Sequence, residues 1–148
     1  MTSPSNNSAP FSVRVADWRN DLDRNALQQV RRQVFIEEQG VPESLEWDTE
    51  DTRATHLVAM DGQGKAIGTA RYLPTGQIGR MAVLRPWRGR GVGAALLRKA
   101  LQLVPSQPAP FLHAQVDAVG FYAGFGFTAE GDVFNDAEIP HRRMILDR

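Results

Sequence analysis

The glycine-rich stretch near the middle of this chain is Arg88-Gly89-Arg90-Gly91-Val92-Gly93-Ala94. A predicted strand over 77–84 precedes it, and a helical pattern of apolar residues follows it as far as Leu103. The start of a helix presents unpaired N–H groups and a partial positive charge, and glycines let an anion approach that backbone. The stretch therefore predicts a pyrophosphate-binding turn, for which the alternative is a tight turn without a ligand.

Two other phosphate-binding loops fit this stretch poorly. A Walker A loop needs Lys and then Ser or Thr after its last glycine, whereas Gly93 is followed by Ala94 and Ala95. A dinucleotide-binding fingerprint needs an acidic residue about 20 positions further on. The first acidic residue after the stretch is Asp117, so neither motif is predicted.

Composition indicates one ordinary globular domain. The 148 residues are 42% hydrophobic, and 17 Lys and Arg balance 17 Asp and Glu. The absence of Cys excludes disulfides, thiol nucleophiles and cysteine-ligated zinc, and it fits a reducing, cytoplasmic compartment. No apolar run reaches the roughly 20 residues of a membrane span, so no membrane partner is expected. No metal site is predicted, because His56, His113 and His141 lack paired ligand spacing.

The charges are strongly segregated along the chain. Residues 37–51 contain seven acidic residues and no basic one, whereas 62–116 contain eight basic residues and no acidic one. One interpretation is a solvated acidic segment with charge pairing inside the fold. The other is a site that binds an anion in the middle of the chain and a cationic partner at 37–51. A nucleic-acid partner is not expected, because the basic residues spread over a meander, a loop and a helix.

The remaining chain predicts a mixed α/β fold. Residues 1–10, rich in Ser, Asn and Pro, predict a disordered leader before a single domain over 11–148. A helix is predicted from Asp23, taken as its N-cap, to Gly40. The other predicted elements are strands at 11–15, 55–60, 65–73, 77–84, 111–116, 127–134 and 141–146 and helices at 92–103 and 118–124.

Two motifs identify a family resemblance. Arg88, Gly91 and Gly93 match Gln/Arg-x-x-Gly-x-Gly/Ala, and residues 118–127 match Ala-x-x-φ-Tyr-x-x-x-Gly-Phe. In both, the chain resembles the GCN5-related N-acetyltransferases (GNAT). The segments 34–42, 112–115 and 139–144 are similar to the ElaA/YjcF-like branch, and the resemblance covers roughly 11–147.

This resemblance implies a mostly antiparallel mixed sheet flanked by helices, in which parallel strands 4 and 5 splay apart. Acetyl-CoA, the implied cosubstrate, would enter between those strands. Its pantetheine would lie along strand 4, and its pyrophosphate would bind the glycine-rich turn. The residues implied at acetyl-CoA are Met81, Ala82, Val83, Arg88, Gly89, Arg90, Gly91, Val92, Gly93, Ala94, Gln115, Phe121 and Tyr122. Dimers are common in the family, so a homodimer is an expectation by analogy.

Tyr122 is the candidate proton donor. A phenol with a reference pKa near 10 stays protonated at neutral pH and can donate to a thiolate whose thiol has a pKa near 8.5. The alternative is a half-buried aromatic residue in a Phe-rich helix. The resemblance further implies that the backbone amide of Val83 stabilises the oxyanion.

The proton acceptor is left open by the sequence. Many relatives carry Glu where this chain has Gly79, and the usual Asn near the end of strand 5 is Gln115. Glu38, His113, His141 and water are the candidates, and each side chain has a structural alternative: a surface carboxylate for Glu38 and a satisfied core histidine for the other two.

The sequence thus predicts an N-acetyltransferase that moves an acetyl group directly to the primary amine of a small acceptor. A covalent acetyl-enzyme is not expected, because the chain has no Cys and no Gly-x-Ser-x-Gly elbow. The acidic segment suggests a cationic acceptor. The alternative function, favoured by Gly79 and Gln115, is a non-catalytic acyl-CoA-binding or sensing domain.

Overall fold

The computed structural model describes residues 9–147, so most of the leader predicted over 1–10 lies outside the described residues. The helices are α1 (Asp21–Arg31), a π-helix (Arg32–Glu38), α2 (Glu43–Glu46), α3 (Val92–Leu103) and α4 (Val119–Ala123). The strands are β1 (Phe11–Ala16), β2 (Thr55–Asp61), β3 (Ala66–Tyr72), β4 (Gln77–Val83), β5 (Phe111–Gln115), β6 (Phe127–Asp136) and β7 (Ile139–Leu146). Short 3₁₀ turns occupy Thr49–Thr52, Arg85–Trp87 and Val116–Ala118.

All seven strands form one sheet in the order β1-β2-β3-β4-β5-β7-β6. Every neighbouring pair is antiparallel except β4 and β5. Those two strands pair only at Gln77 with Phe111 and at Ile78 with Leu112, and beyond these residues they separate. The predicted mixed sheet with splayed parallel strands 4 and 5 is therefore confirmed.

One apolar core joins the sheet to α1 and α3. Both helices pack on β3. Leu57 and Ile67 from the sheet and Leu96 and Leu97 from α3 are fully buried. The close approach of α3 depends on Gly68, where a Cβ atom would lie 3.0 Å from the side chain of Leu96. The core thus fixes the position of α3 and of the glycine-rich turn that precedes it.

The predicted N-cap of the first helix was wrong. Asn20 caps α1, and its side-chain oxygen accepts a hydrogen bond of 3.0 Å from the backbone N–H of Asp23. Asp23 lies instead in the first turn, where its carboxylate accepts two hydrogen bonds from Arg14. Asn and Asp are both good N-caps, so the residue types alone did not separate the two positions.

The helix predicted as far as Gly40 changes its hydrogen bonding after Arg31. Arg32–Glu38 is a π-helix, and the backbone N–H of Gln39 donates to the carbonyl of Val34, five residues earlier, at 3.1 Å. Such π-helical turns are rare in proteins, but those that occur are often found at functional sites. Here they direct Phe35 and Gln39 to the cavity described below.

Strand β4 contains a bulge at Arg80. Between Thr69 and Arg71 of β3, the register with β4 shifts by one residue, and Arg80 has a positive φ of 48°. The hydroxyl of Thr69 donates a 2.9 Å hydrogen bond to the carbonyl of Arg80 and holds this unusual conformation. A bulge bends its strand, and this one lies where β4 leaves β5.

The acidic segment packs inside the fold. Arg31 donates to Glu46 at 2.7 Å and to Asp51 at 2.8 Å, although each side chain is at most 4% exposed. Arg71 donates to Asp48 and Asp51, and Arg80 contacts Glu46 and Asp48 at 3.2 Å. We call these six side chains the arginine–carboxylate cluster.

Internal charge pairing, the first interpretation of the segregated charges, is therefore correct for this cluster. Glu43 also pairs with Arg32, and Glu50 pairs with Arg53. Six of the seven acidic residues in 37–51 thus have guanidinium partners, and the expectation of a cationic partner there stays a prediction. Among residues 9–147, no helix has the length and apolar character needed to cross a membrane.

Candidate active site

A cavity of about 320 Å³ opens between the diverging strands β4 and β5. Its walls come from the π-helix, α2, β4, β5, α4 and the turn between β6 and β7. The lining residues are Phe35, Gln39, Val41, Leu45, Glu46, Gln77, Ile78, Gly79, Arg80, Met81, Leu112, His113, Gln115, Ala118, Tyr122, Asp136, Ala137, Ile139 and His141. Nine of these 19 residues have polar or charged side chains, so the cavity is more polar than most small-molecule sites.

The glycine-rich turn lies between β4 and the start of α3. Gly89 and Gly91 adopt positive φ values of 76° and 88°, which strain residues with a side chain, and Gly91 is the N-cap of α3. No side chain caps this helix start, and in the described chain no backbone hydrogen bond is made by the amides of residues 89–91. Arg90 stacks over Trp87 nearby. This turn presents free donors and positive charge in one place.

Arg88 is held by the fold rather than free. Its two terminal nitrogens donate to the Glu38 carboxylate at 2.7 and 2.8 Å, and its Nε donates to the carbonyl of Val83 at 2.9 Å. The hydrogen bonds from Arg88, although burial opposes them, lower the pKa of Glu38. Glu38 is not among the residues that line the cavity. Its geometry favours a role in anchoring the turn over proton acceptance.

The open edge of β4 carries Met81 and Val83. The backbone N–H of Leu84 donates to the carbonyl of Ile67 in β3. Because backbone groups alternate in direction along an antiparallel strand, the N–H and C=O of Ala82 also point to β3. Met81 and Val83 therefore direct their backbone groups away from β3, to the side where β5 has separated. Met81 also lines the cavity.

Tyr122 lines the cavity from α4. Its ring makes edge contacts with Phe121 and Phe127, and burial raises the pKa of Tyr122 to about 12. Across the described residues, its hydroxyl has no hydrogen-bond partner. A Cβ atom at Gly93 would lie 3.7 Å from the exposed Phe121 ring, which brings α4 next to the start of α3.

Gln115 ends β5 and lines the cavity. Its side-chain amide donates a 2.9 Å hydrogen bond to Gln39 at the end of the π-helix. Gly79 lines the cavity from β4, and no described atom lies within 4 Å of where its Cβ would be. The side chain missing at Gly79 thus leaves open space in the cavity.

The three histidines have different surroundings. His56 is buried in stacking contact with Trp18, away from the cavity, and burial lowers its pKa. His113 and His141 both line the cavity and both contact the Phe134 ring, His113 edge-on and His141 in a stacked arrangement. Burial and the charge of Arg143 lower the pKa of His113.

Glu46 is a cavity residue that the sequence pattern identified only as part of an acidic run. It is 3% exposed, and its Oε2 accepts from Arg31 and lies 3.2 Å from Arg80 Nε. Burial raises the pKa of Glu46, although the neighbouring arginines oppose this effect. No spacing signal could have placed it here, because its contacts come from α1 and β4. Within residues 9–147, no cluster of His, Asp and Glu side chains has a metal-binding arrangement.

Comparison with known proteins gives one consistent family. Residues 20–148 match the family model described as "Acetyltransferase (GNAT) domain". The chain is 35% identical over 125 residues to "Uncharacterized N-acetyltransferase YjcF" of Bacillus subtilis (strain 168), which covers 80% of this chain and 88% of that protein.

Solved structures agree with this match. An acyl-CoA N-acyltransferase from Pseudomonas aeruginosa has a TM-score of 0.81 at 28% identity, over 93% of this chain and 99% of that one. Escherichia coli ElaA has a TM-score of 0.80 at 25% identity, over 94% of this chain and 99% of that one. The resemblance that the two sequence motifs indicated is confirmed.

Proposed function

Because this chain belongs to the GNAT acetyltransferase domain family and is an acyltransferase, we propose that it transfers the acetyl group of acetyl-CoA directly to the primary amine of a small acceptor. One observation carries the proposal. The cavity between β4 and β5 brings together an open strand edge and the unpartnered Tyr122 hydroxyl, close to the start of α3 with its free amides. These are the groups that a thioester with a pyrophosphate tail requires.

The turn at residues 88–94 suits the pyrophosphate. Its amides at 89–91 make no backbone hydrogen bond within the described chain and lie at the positive end of a 12-residue helix. Gly89, Gly91 and Gly93 place no side chain over these amides, and Arg85 and Arg90 add positive charge. The backbone of Arg88 forms part of this turn, while its guanidinium is bound to Glu38.

The free edge of β4 suits the pantetheine and the thioester. The outward backbone groups of Met81 can pair with the pantetheine amides in the manner of an added strand. The N–H of Val83, two residues further, is the donor that we assign to the oxyanion formed as the amine attacks the carbonyl. The Arg88 hydrogen bond to the Val83 carbonyl fixes this peptide in place.

Tyr122 supplies the proton for the leaving thiolate in this proposal. A pKa of about 12 keeps the phenol protonated at neutral pH, and no other hydrogen bond within the described chain occupies its hydroxyl. The C–N bond forms, the C–S bond breaks, and the phenol O–H passes its proton to sulfur. The cavity volume of about 320 Å³ limits the acceptor to a small molecule or to the end of a longer one.

The alternative is an acyl-CoA-binding domain without turnover. The open space at Gly79, where many relatives carry a carboxylate, favours it. Both functions require acetyl-CoA at the same turn, but only the enzyme releases a thiol when an amine is added. Turnover therefore separates them.

The first test is calorimetric titration of the protein with acetyl-CoA, beside the variants Gly93→Asp and Gly93→Asn. Asp and Asn have nearly the same shape, and space at Gly93 accepts a Cβ at ordinary contact distances. An Asp in the first helical turn also favours folding. We expect micromolar binding by the wild type and at least about tenfold weaker binding by Gly93→Asp than by Gly93→Asn, because a carboxylate repels pyrophosphate.

Thiol release with a panel of primary amines then tests transfer. Binding with thiol release supports the enzyme, and binding without release by any amine supports the sensing domain. A folded wild type that does not bind acetyl-CoA would overturn both functions.

A further inference from the structure

Attack by an amine requires a group that takes the proton from nitrogen. Besides Tyr122 and Arg80, the titratable residues lining the cavity are Glu46, His113, Asp136 and His141. All four can accept a proton, and the hydrogen bonds of the fold decide which of them has an acceptor atom without a partner. The two histidines differ in how firmly the fold holds the ring.

His141 is held with Nε2 free. Its Nδ1 lies 2.6 Å from the carbonyl oxygen of Ile139. A carbonyl oxygen can only accept, so Nδ1 carries the hydrogen and the neutral ring has its lone pair on Nε2. No hydrogen bond to Nε2 occurs among residues 9–147. The packing of the fold around His141 leaves only 8% of the residue exposed.

The geometry of His141 is fixed from three sides. The contact with Ile139 spans Pro140, whose ring restricts the backbone between the two residues. The Phe134 ring stacks on the imidazole at 5.9 Å between centroids. In the sheet, His141 pairs with Gln115, which lines the cavity at the end of β5.

His113 is held less firmly. Its Nδ1 lies 3.5 Å from the side-chain amide nitrogen of Gln77, which is a long contact between exposed groups. Within residues 9–147, no short hydrogen bond fixes which nitrogen of His113 carries the hydrogen, in contrast to the 2.6 Å contact of His141.

The two carboxylates are less suited to this role. Glu46 is already bound to Arg31 and lies 3.2 Å from Arg80, so its negative charge is balanced inside the arginine–carboxylate cluster. Asp136 is exposed at the end of β6, where water competes for its oxygens. Neither combines burial with a lone pair that the fold leaves free of charged partners.

We propose that His141 is the proton acceptor of the transfer reaction and that Nε2 takes the proton from the attacking amine. This inference rests on the proposed function. As the C–N bond forms and the C–S bond breaks, one amine proton moves to Nε2, while Tyr122 gives its proton to the thiolate. The imidazolium then returns a proton to the phenolate through water, which restores both groups. The Ile139 carbonyl is the positioning group.

The charged neighbours of His141 belong to two strands. His113 faces it from β5, and Asp136 lies near the end of β6, on the cavity side of the β6–β7 turn.

The decisive variant is His141→Asn. The Asn amide nitrogen can replace Nδ1 in the bond to Ile139, but the variant has nothing in place of Nε2. We expect acetyl-CoA affinity to stay within about twofold and kcat/KM to fall about 10²–10⁴-fold, the usual contribution of a general base. The probe amines are benzylamine and n-propylamine at saturating acetyl-CoA, with rates plotted against the concentration of unprotonated amine.

Two further readouts separate proton acceptance from a structural role. The decrease of kcat/KM at acidic pH should vanish in His141→Asn and persist in His113→Gln. Added imidazole should restore part of the activity of His141→Ala. Nitrogen NMR of the wild type should show the hydrogen on Nδ1 for His141.

The outcomes also distinguish the two proposals. If the wild type turns over and His141→Asn keeps its rate and its decrease of kcat/KM at acidic pH, the role of His141 is wrong and the proposed function stands. A hydrogen on Nε2 of His141 in the NMR spectra would likewise overturn it. If the wild type binds no acetyl-CoA and acetylates neither amine, both proposals fail together.

Discussion

Glu38 and Arg88 lie 50 positions apart in sequence, yet their side chains share two hydrogen bonds of 2.7 and 2.8 Å. The pair joins the end of the π-helix to the glycine-rich turn before α3. Arg85 approaches the same carboxylate at 3.4 Å. A carboxylate that appeared in the sequence as a candidate base is therefore bound beside the turn that we assign to the pyrophosphate.

Glu38→Gln should have a small effect. The pair is partly exposed, and exposed ion pairs contribute at most about 1 kcal/mol, which corresponds to about fivefold in an equilibrium constant. We expect acetyl-CoA affinity to change by no more than about fivefold, and the turnover rate to keep its pH dependence. Calorimetry and steady-state kinetics measure both. If turnover instead slowed by about two orders of magnitude and the acidic limb disappeared, Glu38 would be the base.

Tyr122→Phe should separate binding from chemistry. The variant keeps the edge contacts with Phe121 and Phe127 and removes only the proton donor. We expect kcat to fall about 10²–10⁴-fold while the Kd for acetyl-CoA stays within about twofold. In the wild type, activity should not decline through ionisation of Tyr122 below about pH 10, because its pKa is about 12. Unchanged thiol release by the variant would contradict the role of Tyr122.

Stability at acidic pH should depend on Asp48. Burial alone would raise its pKa, but hydrogen bonds and charge from Arg71, with the charges of Arg80 and Arg31, hold the pKa at about 2. The folded pKa lies below the ordinary value of 3.8, so the contribution of Asp48 is present above about pH 4 and is lost as the pH falls towards 2. Urea unfolding between pH 4 and about 2 should show that the free energy of unfolding falls less steeply with pH for Asp48→Asn than for the wild type. Equal slopes would mean that Asp48 titrates normally.

Gly68→Ala should destabilise the fold. The new Cβ would lie 3.0 Å from Leu96, 3.1 Å from Val92 and 3.2 Å from the Ala82 carbonyl. Overpacking of this kind costs about 1–3 kcal/mol, which chemical denaturation can measure. The matched control is Gly79→Ala in the adjacent strand, where the Cβ meets open space. If both variants unfold at the same denaturant concentration as the wild type, α3 does not press on β3 as the structure indicates.

Local sequence patterns predicted most of the fold. Alternating apolar residues marked β1, although Val15 of that pattern is exposed. The spacing of Val92, Leu96 and Leu97 marked α3, because that face of the helix is buried against the sheet. The glycine-rich turn was predictable because Gly89 and Gly91 supply backbone angles that few residues accept. Family resemblance, rather than periodicity, supplied the separation of β4 from β5.

Features that depend on distant contacts were not predictable. The positive φ of Arg80 requires the Thr69 hydroxyl from the neighbouring strand, and arginine carries no local preference for it. The π-helix after Arg31 has no pattern that separates it from the α-helix predicted there. The free Nε2 of His141 was not predictable either. Its Nδ1 contacts a carbonyl only two residues away, but the sequence does not show how the ring is oriented.

The short pairing of β4 with β5 divides the molecule along its sequence. Strands β1–β4 come from residues before 84 and strands β5–β7 from residues after 110, so the sheet consists of two successive blocks that share two residue pairs. A ligand bound between β4 and β5 would contact both blocks and hold them together. Occupancy of the site and resistance of the whole chain to unfolding would then rise together, since a ligand stabilises the state that binds it.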